Sequence, residues 1–216
     1  MKSRMVAAVL AAQMLVLALA PAARAADAPL AGNAEAGAAK SATCGACHGP
    51  TGNSVNPEWP NLAGQHHEYI AEQLALLKSG ARVAPAMNPM AAMLNPQDMA
   101  DLAAYFEKQT PTGLEADPKL WEAGQKLYRG GDAPRGIPAC LACHGPNGRG
   151  NGPARWPQVR GQQPAYVAAQ LKNYAAKTRY AAGATLPPGA EMMTDVARRL
   201  GDDDVKALVA YLQGLR

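Results

Sequence analysis

Two five-residue segments of this chain combine two thiols with an imidazole. Cys44-Gly45-Ala46-Cys47-His48 and Cys140-Leu141-Ala142-Cys143-His144 both read Cys-x-x-Cys-His, and together they contain all four cysteines of the chain. Positions i and i+3 of a helical turn lie on one face. Two thiols at this spacing can therefore bond the two vinyl groups of one porphyrin, while the histidine that follows binds the iron. The sequence predicts two covalent haem c groups, attached through Cys44, Cys47, Cys140 and Cys143, with His48 and His144 as the first axial ligands.

Other uses of paired cysteines fit the pattern less well. The alternatives are a disulfide within each motif, a redox-active dithiol, and a zinc site made by four cysteines. The cysteine pairs of a zinc ribbon usually lie about 15 to 20 residues apart and need no histidine directly after the second cysteine. Here the two motifs start at Cys44 and Cys140, and each ends in histidine. The spacing favours haem.

The first residues have the form of a secretory signal. Lys2 and Arg4 precede an apolar run from Met5 to Ala20, and Ala23-Arg24-Ala25 has the small-x-small pattern of a signal-peptidase site. An uncleaved anchor is the alternative, but the run is shorter than the roughly 20 apolar residues that span a bilayer. We predict that residues 1–26 are a cleaved signal peptide and that the protein is exported.

The charge is nearly balanced but unevenly distributed. After loss of the three basic residues before residue 26, 18 basic residues remain against 17 acidic ones. From Asp27 to Thr110 there are 4 basic and 8 acidic residues, whereas from Pro111 to Arg216 there are 14 basic and 9 acidic. Nothing in this balance indicates nucleic-acid binding. The asymmetry fits either the steering of different partners to opposite ends or an ordinary solvated surface.

The chain contains an internal repeat that extends well beyond the two cysteine motifs. Matching positions lie 97 apart in the middle of each half and 106 apart near its end. This pattern is typical of a duplicated domain. The matched segments are Glu35-Ala36-Gly37 with Glu122-Ala123-Gly124, residues 59–65 with 156–162, Tyr69, Gln73 and Leu74 with Tyr166, Gln170 and Leu171, and Leu102-Ala103-Ala104-Tyr105 with Leu208-Val209-Ala210-Tyr211.

Helical periodicity dominates, and strand alternation is not sustained anywhere. Asn95-Pro96-Gln97-Asp98 is a good N-terminal cap for a helix through Met99 and Phe106, and Gly201 followed by Asp202 to Asp204 precedes a second such helix. We predict an all-α protein made of two tandem domains. Further helices are expected near Ala34 to Thr43, Gln65 to Lys78, Lys119 to Arg129 and Pro164 to Lys177, with a methionine-bearing loop before each last helix.

The repeat also predicts the domain boundaries. Thr110 to Pro118 contains two prolines and a glycine, which is typical of a linker. We expect an N-terminal domain at 27–110, a linker at 111–118 and a C-terminal domain at 119–216. Domains of about 90 residues have thin cores, so the haem faces are expected to complete them.

An iron that only transfers electrons needs a sixth ligand. The four histidines are His48, His66, His67 and His144, so the second half has no histidine beyond its motif. Methionine is then the expected donor. Counting back from the matched Leu102 and Leu208 pairs Met87 with Met193, and we predict these two as the second axial ligands. Met90 is the alternative in the first half and Met192 in the second. His66 and His67 are expected to face solvent at the start of a helix.

Two prolines occupy matched positions after the motifs. The carbonyl of Pro60 or Pro157 could accept a hydrogen bond from Nδ1 of His48 or His144, which would hold the ring and increase its basicity as a ligand. The alternative is that each proline only stiffens a loop.

The chain resembles the dihaem cytochromes c4, which are two fused class I cytochrome c domains, over essentially all of its length after the signal. The resemblance implies two domains related by pseudo-twofold symmetry, His/Met iron in both, haem propionate edges that face each other, and a periplasmic location. It is carried by Gly45-Ala46-Cys47-His48-Gly49, Gly52-Asn53-Ser54, residues 60–65, Ala103-Ala104-Tyr105-Phe106, Arg129-Gly130-Gly131, Pro138-Ala139-Cys140 and residues 211–215.

The resemblance also implies a function and its partners. We expect a monomeric electron carrier with no open catalytic site, reduced by a quinol-oxidising complex or another donor and oxidised by a terminal oxidase, with peripheral membrane association left open. A dihaem subunit of a dehydrogenase such as a flavocytochrome is the alternative. A dihaem peroxidase needs an iron with an openable site, and the methionines of both halves argue against it.

Overall fold

The computed structural model describes residues 30–215, and the predicted signal peptide, with the start of the first predicted domain, lies outside them. Within this part the secondary structure is helical, with isolated bridges in place of strands. A short 3₁₀ turn at Ala133–Arg135 lies between the helices Trp121–Gly130 and Leu141–His144. The helices are α1 (Ala34–Lys40), α2 (Ala42–His48), α3 (His67–Lys78), α4 (Asn88–Ala92), α5 (Pro96–Glu107), α6 (Trp121–Gly130), α7 (Leu141–His144), α8 (Pro164–Ala175), α9 (Ala190–Ala197) and α10 (Asp202–Gly214).

The order of elements is the same in both halves, which confirms the predicted all-α duplication. In each half, the first helix packs on the last, α1 on α5 and α6 on α10. The third helix of each half also packs on the last, α3 on α5 and α8 on α10. The short helix that bears the cysteine motif lies between the first and third helices in the chain. The last helix is therefore the element against which each half is assembled.

A glycine allows the first and last helices to touch backbone to backbone. A Cβ atom at Gly37 would lie 2.1 Å from the carbonyl oxygen of Asp101, and one at Gly124 would lie 2.0 Å from that of Ala207. These separations are far below any van der Waals contact. The repeated Glu-Ala-Gly segments thus have a physical explanation, because only glycine permits this approach.

The caps of the last helices agree with the sequence. Asn95 Oδ1 accepts a hydrogen bond from the backbone N–H of Asp98 at 2.9 Å, and Asp98 Oδ2 accepts one from the N–H of Asn95 at 3.0 Å. This reciprocal arrangement is a capping box. At the start of α10, Asp204 Oδ2 accepts from the N–H of Gly201 at 2.8 Å. Both predicted starts are confirmed.

Two local predictions were wrong in detail. The helix expected from Ala34 to Thr43 is divided at Ser41, whose hydroxyl donates back to the carbonyl of Ala38 at 2.9 Å. Such a bond competes with the helical backbone pattern. The methionine-bearing loops contain short helices, since Met87 caps α4 and Met193 lies within α9. Pro89 in the first turn of α4 and the left-handed Gly189 before α9 favour these helix starts.

Each half has a small apolar core that reaches one cysteine of its motif. Cys44 packs against a cluster of Ile70, Leu102, Ala103 and Phe106. Cys140 packs against a cluster that contains Leu127, Tyr128, Ile137, Leu208, Tyr211 and Leu212. These clusters are small for domains of this size, as expected if a bound group completes them.

None of the helices in residues 30–215 has the length and apolar character needed to cross a membrane.

The helix crossing at Gly124 can be tested with a matched control in the same helix. Gly124→Ala should lower the free energy of unfolding by about 1–3 kcal/mol, because the added methyl group collides with the α10 backbone. Gly130→Ala places its Cβ in open space and should be neutral or stabilise by less than about 1 kcal/mol. Denaturant unfolding of the holoproteins measures both changes. Equal stability of the two variants would contradict the close approach.

Candidate haem-binding sites

The two cysteine motifs end their helices in the same way. His48 is the last residue of α2 and His144 the last residue of α7, and each is followed by a glycine with positive φ, 80° at Gly49 and 76° at Gly145. The glycine with positive φ turns the chain away directly after the histidine of the motif. The first cysteine of each motif is partly buried, and the second is exposed.

The imidazoles are held by the proline carbonyls that the sequence suggested. Nδ1 of His48 lies 2.9 Å from the carbonyl oxygen of Pro60, and Nδ1 of His144 lies 2.9 Å from that of Pro157. A carbonyl can only accept, so each ring carries its proton on Nδ1 and leaves the Nε2 lone pair free for a metal. Burial lowers the pKa of both histidines, against a smaller opposite effect of the carbonyl. Each imidazole is thus prepared as a neutral ligand.

The surroundings of the cysteines do not favour the other uses of paired thiols. No disulfide joins any of the four. Burial raises the pKa of Cys44, and it raises the pKa of Cys140 to about 11, whereas redox-active thiols have a lowered pKa. In residues 30–215, the one cluster with the geometry to hold a metal ion contains no cysteine. Attachment to a porphyrin is the use that remains.

A pocket in the second half joins the cysteine motif to the methionines. Cys143, His144, Met192 and Met193 all line it, together with aromatic side chains that include Trp156. Met192 is 52% exposed, whereas Met193 is partly buried in α9. A porphyrin needs an apolar cleft with a ligand on each side of the iron, and this pocket contains both kinds of ligand.

The four methionines near α4 in the first half differ in their surroundings. Met99 is 5% exposed and lies on the buried face of α5, and Met93 is 69% exposed at the surface. Met87 and Met90, at the start and in the middle of α4, are partly buried. Asn88 fixes this segment, since its side-chain amide donates to the carbonyls of Leu77 and Arg82 at 2.7 and 2.9 Å. Met87 and Met90 are thus the two methionines placed neither in the core nor at the open surface.

The two halves meet through reciprocal contacts that repeat with exchanged roles. The N–H of Asn61 donates to Gln162 Oε1 at 2.6 Å, and the Gln162 amide donates to the Asn61 carbonyl at 2.9 Å. Gln65 and Gln158 exchange the same pair of bonds, at 2.8 and 2.9 Å. Asn61 matches Gln158 in the repeat, and Gln65 matches Gln162. Contacts of this kind are the signature of a twofold axis, so the two halves have pseudo-twofold symmetry.

Two arginines form a second crossed pair at this interface. Arg82 Nη2 donates to the hydroxyl of Tyr166 at 3.1 Å, and Arg179 Nη2 donates to that of Tyr69 at 3.1 Å. Both guanidinium groups also donate to Gln73 Oε1, at 2.9 and 3.2 Å. Sequence reasoning did not single out these arginines, although they lie 97 positions apart like Tyr69 and Tyr166. The sequence feature that could have pointed to them is the repeat, which places Arg82 and Arg179 at matching positions.

The charge of Arg179 lacks an anion from the protein. Arg179 is 3% exposed, its guanidinium carbon lies 4.8 Å from the ring centre of Tyr174 and 5.6 Å from that of Tyr180, and its Nη1 has no hydrogen-bond partner in the described residues. Within residues 30–215, neither this arginine nor Arg82 forms an ion pair with a carboxylate. A buried cation beside a second, partly buried one is unfavourable without an anion.

A haem would remove this imbalance. Haem carries two propionate carboxylates, and the side chains around Arg179, namely Tyr69, Gln73, Tyr174 and Tyr180, line the pocket of His144. A carboxylate there would accept from the unpartnered Nη1 and neutralise part of the charge. The donor set, the apolar pocket and the missing anion all fit haem c.

Comparison with known proteins agrees with this chemistry. The family model for cytochrome c matches residues 34–110 and 121–216. The chain is 45% identical over 180 residues to the cytochrome c4 of Azotobacter vinelandii, covering 79% of this chain and 83% of that protein. The chain belongs to the cytochrome c4 family. It thus holds two covalent haem c groups and acts as an electron carrier.

Two further similarities, one to a solved structure and one to a protein sequence, extend the comparison. The crystal structure of reduced recombinant cytochrome c4 from Pseudomonas stutzeri matches with a TM-score of 0.80 and 42% identity, over 86% of this chain and all of that one. A protein of Thiomonas intermedia named as an electron acceptor of thiosulfate dehydrogenase is 37% identical over 172 residues, covering 77% of this chain and 76% of that protein.

The role of Arg179 can be tested by redox titration of the holoprotein. Arg179→Gln should lower the reduction potential of one haem, because a buried cation stabilises the electron that the iron gains. Arg198→Gln removes an equal charge from an exposed position at the end of α9 and should leave both potentials almost unchanged. Equal potentials in the two variants would contradict the role of Arg179.

Proposed function

We propose that this cytochrome c4 transfers electrons in the periplasm from a quinol-oxidising complex or another donor to a terminal oxidase. The observation that carries the proposal is the reciprocal interface, at which residues of the first half line the pocket of His144 and the two halves exchange arginine-to-tyrosine hydrogen bonds. An electron that enters one half can then leave through the other. We also propose that the protein has no open catalytic site, because the proposed axial ligands occupy both sides of each iron.

The axial ligands follow from the sequence count and from burial. We propose His48 with Met87 in the first half and His144 with Met193 in the second. Met193 shares the pocket of His144 and is more buried than Met192. Met87 occupies the matching position, eight residues before the cap of the last helix, as Met193 does before Gly201. Thioether ligation raises the potential of a haem, which suits a donor to an oxidase.

The domain limits are part of the same proposal. An N-terminal domain at 27–110 and a C-terminal domain at 119–216 would each contain one Cys-x-x-Cys-His motif and one methionine ligand, with 111–118 as the linker. Residues 111–117 contain no helix, and the N–H of Leu114 donates to the carbonyl of Gln213 at 3.0 Å. The linker would thus be anchored along the last helix. Removal of residues 1–26 on export completes the proposed periplasmic protein, a monomer.

A second candidate is the role of electron acceptor for a dehydrogenase. It is favoured by the similarity to the acceptor protein of Thiomonas intermedia. In this role the donor would be a soluble enzyme that oxidises a reduced sulfur compound, and the remaining chemistry of the carrier would be unchanged. The two candidates differ in the electron donor and in how tightly the partner is held.

The methionine assignment is tested by paired substitutions. Met193→Ala should abolish the sulfur-to-iron charge-transfer band of one haem and lower its potential, because the thioether favours the reduced iron. Met192→Ala is the matched control and should leave both bands intact. Met87→Ala and Met90→Ala form the corresponding pair in the first half. Loss of a band in the Met192 or Met90 variant would assign the ligand to that residue instead.

The carrier role is tested by mixing the reduced holoprotein with oxidase-containing membrane vesicles in a stopped-flow spectrometer. Rapid oxidation of both haems, slowed as ionic strength rises, is expected for a steered encounter between unlike charges. As the comparison, thiosulfate dehydrogenase with thiosulfate is mixed with the oxidised protein. Slow oxidation by the vesicles together with rapid reduction by the dehydrogenase, in a complex that survives gel filtration, would support the second candidate and refute the first.

A further inference from the structure

A second group of metal-type donors lies where α3 begins and α5 ends. One ligand atom each from His66, Glu68 and Glu107 lies within 4.8 Å of the other two. None of these residues lines the pocket of His144, and the sequence predicted no role for them. An imidazole and two carboxylates within this distance can converge on one cation after small side-chain movements.

The contact of His66 with the second half fixes its proton. Nε2 of His66 lies 2.6 Å from the carbonyl oxygen of Arg149. Because a carbonyl only accepts, Nε2 carries the hydrogen and Nδ1 has the free lone pair. Histidines that bind metals usually donate their other ring N–H to such a carbonyl or carboxylate. His66 thus has the tautomer and the outer partner that a ligand needs.

Glu107 is oriented by the neighbouring histidine. The backbone N–H of His67 donates to Glu107 Oε1 at 3.1 Å, and His67 Nδ1 lies 3.0 and 2.9 Å from the two carboxylate oxygens. These bonds hold the carboxylate of the last residue of α5 at the first turn of α3. In residues 30–215, neither Glu68 nor Glu107 pairs with a lysine or an arginine, and His67 Nδ1 lies 3.4 Å from Glu68 Oε2 and 2.9 Å from Glu107 Oε2.

The backbone of the second half lies directly against two of these donors. A Cβ atom at Gly152 would lie 2.8 Å from Glu68 Oε2 and 3.1 Å from His66 Nδ1. Any side chain at this position would collide with the two donors. The glycine therefore lets the second half approach Glu68 and His66 without displacing them.

The donor types indicate the class of ion. One imidazole nitrogen and two carboxylate oxygens suit zinc and its neighbours among the divalent transition metals, whereas calcium and magnesium prefer oxygen ligands alone. A cation at a helix N-terminus is disfavoured slightly by the helix dipole. Two carboxylates at close range outweigh that cost.

We propose that His66, Glu68 and Glu107 bind one divalent transition-metal ion of the zinc class. The ion joins α3 to α5 and, through the bond of His66 to Arg149, strengthens the contact between the first and second halves. His67 positions Glu107 and is not a ligand. The site is separate from the irons and does not depend on which protein donates or accepts electrons.

Zinc sulfate titrated into chelator-treated holoprotein, followed by calorimetry and by metal analysis after dialysis, tests the site. The wild-type protein should retain one zinc ion per chain, and zinc should raise its melting temperature by linkage. His66→Gln and Glu107→Gln should each weaken binding at least tenfold and remove the thermal shift. The visible haem spectrum should not change, which separates this site from the axial ligands.

Glu122→Gln is the matched control, because it removes a carboxylate from an exposed position on α6, and it should bind zinc like the wild type. Glu107 is partly exposed at a helix end, so its variant is expected to fold and carries the test if His66→Gln does not. The proposal is overturned if the wild type retains no zinc, or if Glu107→Gln binds zinc as tightly as Glu122→Gln.

Discussion

The backbone contact between the first and last helix of each half is the constraint on which the rest of the structure depends. At Gly37 and Gly124 the two helices approach so closely that a methyl group would not fit. The last helix also supports the third helix and the small apolar core that reaches a cysteine of the motif. The crossing therefore sets where each Cys-x-x-Cys-His segment lies relative to the short helix that carries the candidate methionine ligand, α4 in the first half and α9 in the second.

The contact between the halves rests on polar groups that are paired across a pseudo-twofold axis. The buried amides of Asn61, Gln65, Gln158 and Gln162 satisfy one another, as buried polar groups must. The guanidinium groups of Arg82 and Arg179 are the exception, because the described protein supplies them with hydroxyl and amide acceptors but no anion. Haem carboxylates would supply such an anion, and the cofactors would then contribute to the contact between the halves as well as to the cores.

Duplication has not kept the two halves identical, and the differences change the charges and aromatic rings at matched positions. Arg179 lies beside Tyr174 and Tyr180, whereas the matching positions beside Arg82 are Leu77 and Val83. Asp101, beside Gly37, is paired with Lys40 at 2.7 Å, whereas Ala207 occupies the corresponding place in the second half. Two similar sites in unlike electrostatic surroundings are expected to differ in potential, which gives an electron a preferred direction.

The sequence by itself determined the two Cys-x-x-Cys-His motifs, the caps at Asn95 and Gly201, and the duplication. The motifs and the caps follow from backbone spacing over a few residues, and the duplication follows from the repeat. Whether the carbonyls of Pro60 and Pro157 accept from the histidines was left open by the sequence. Only the tertiary structure showed that Arg82 and Arg179 both donate to Gln73 Oε1. The same is true of the contact between His66 and the carbonyl of Arg149. Arg82 and Arg179 are 97 positions apart in the chain, and His66 and Arg149 are 83 apart. Helix packing brings them together, so no local period in the sequence records the contact.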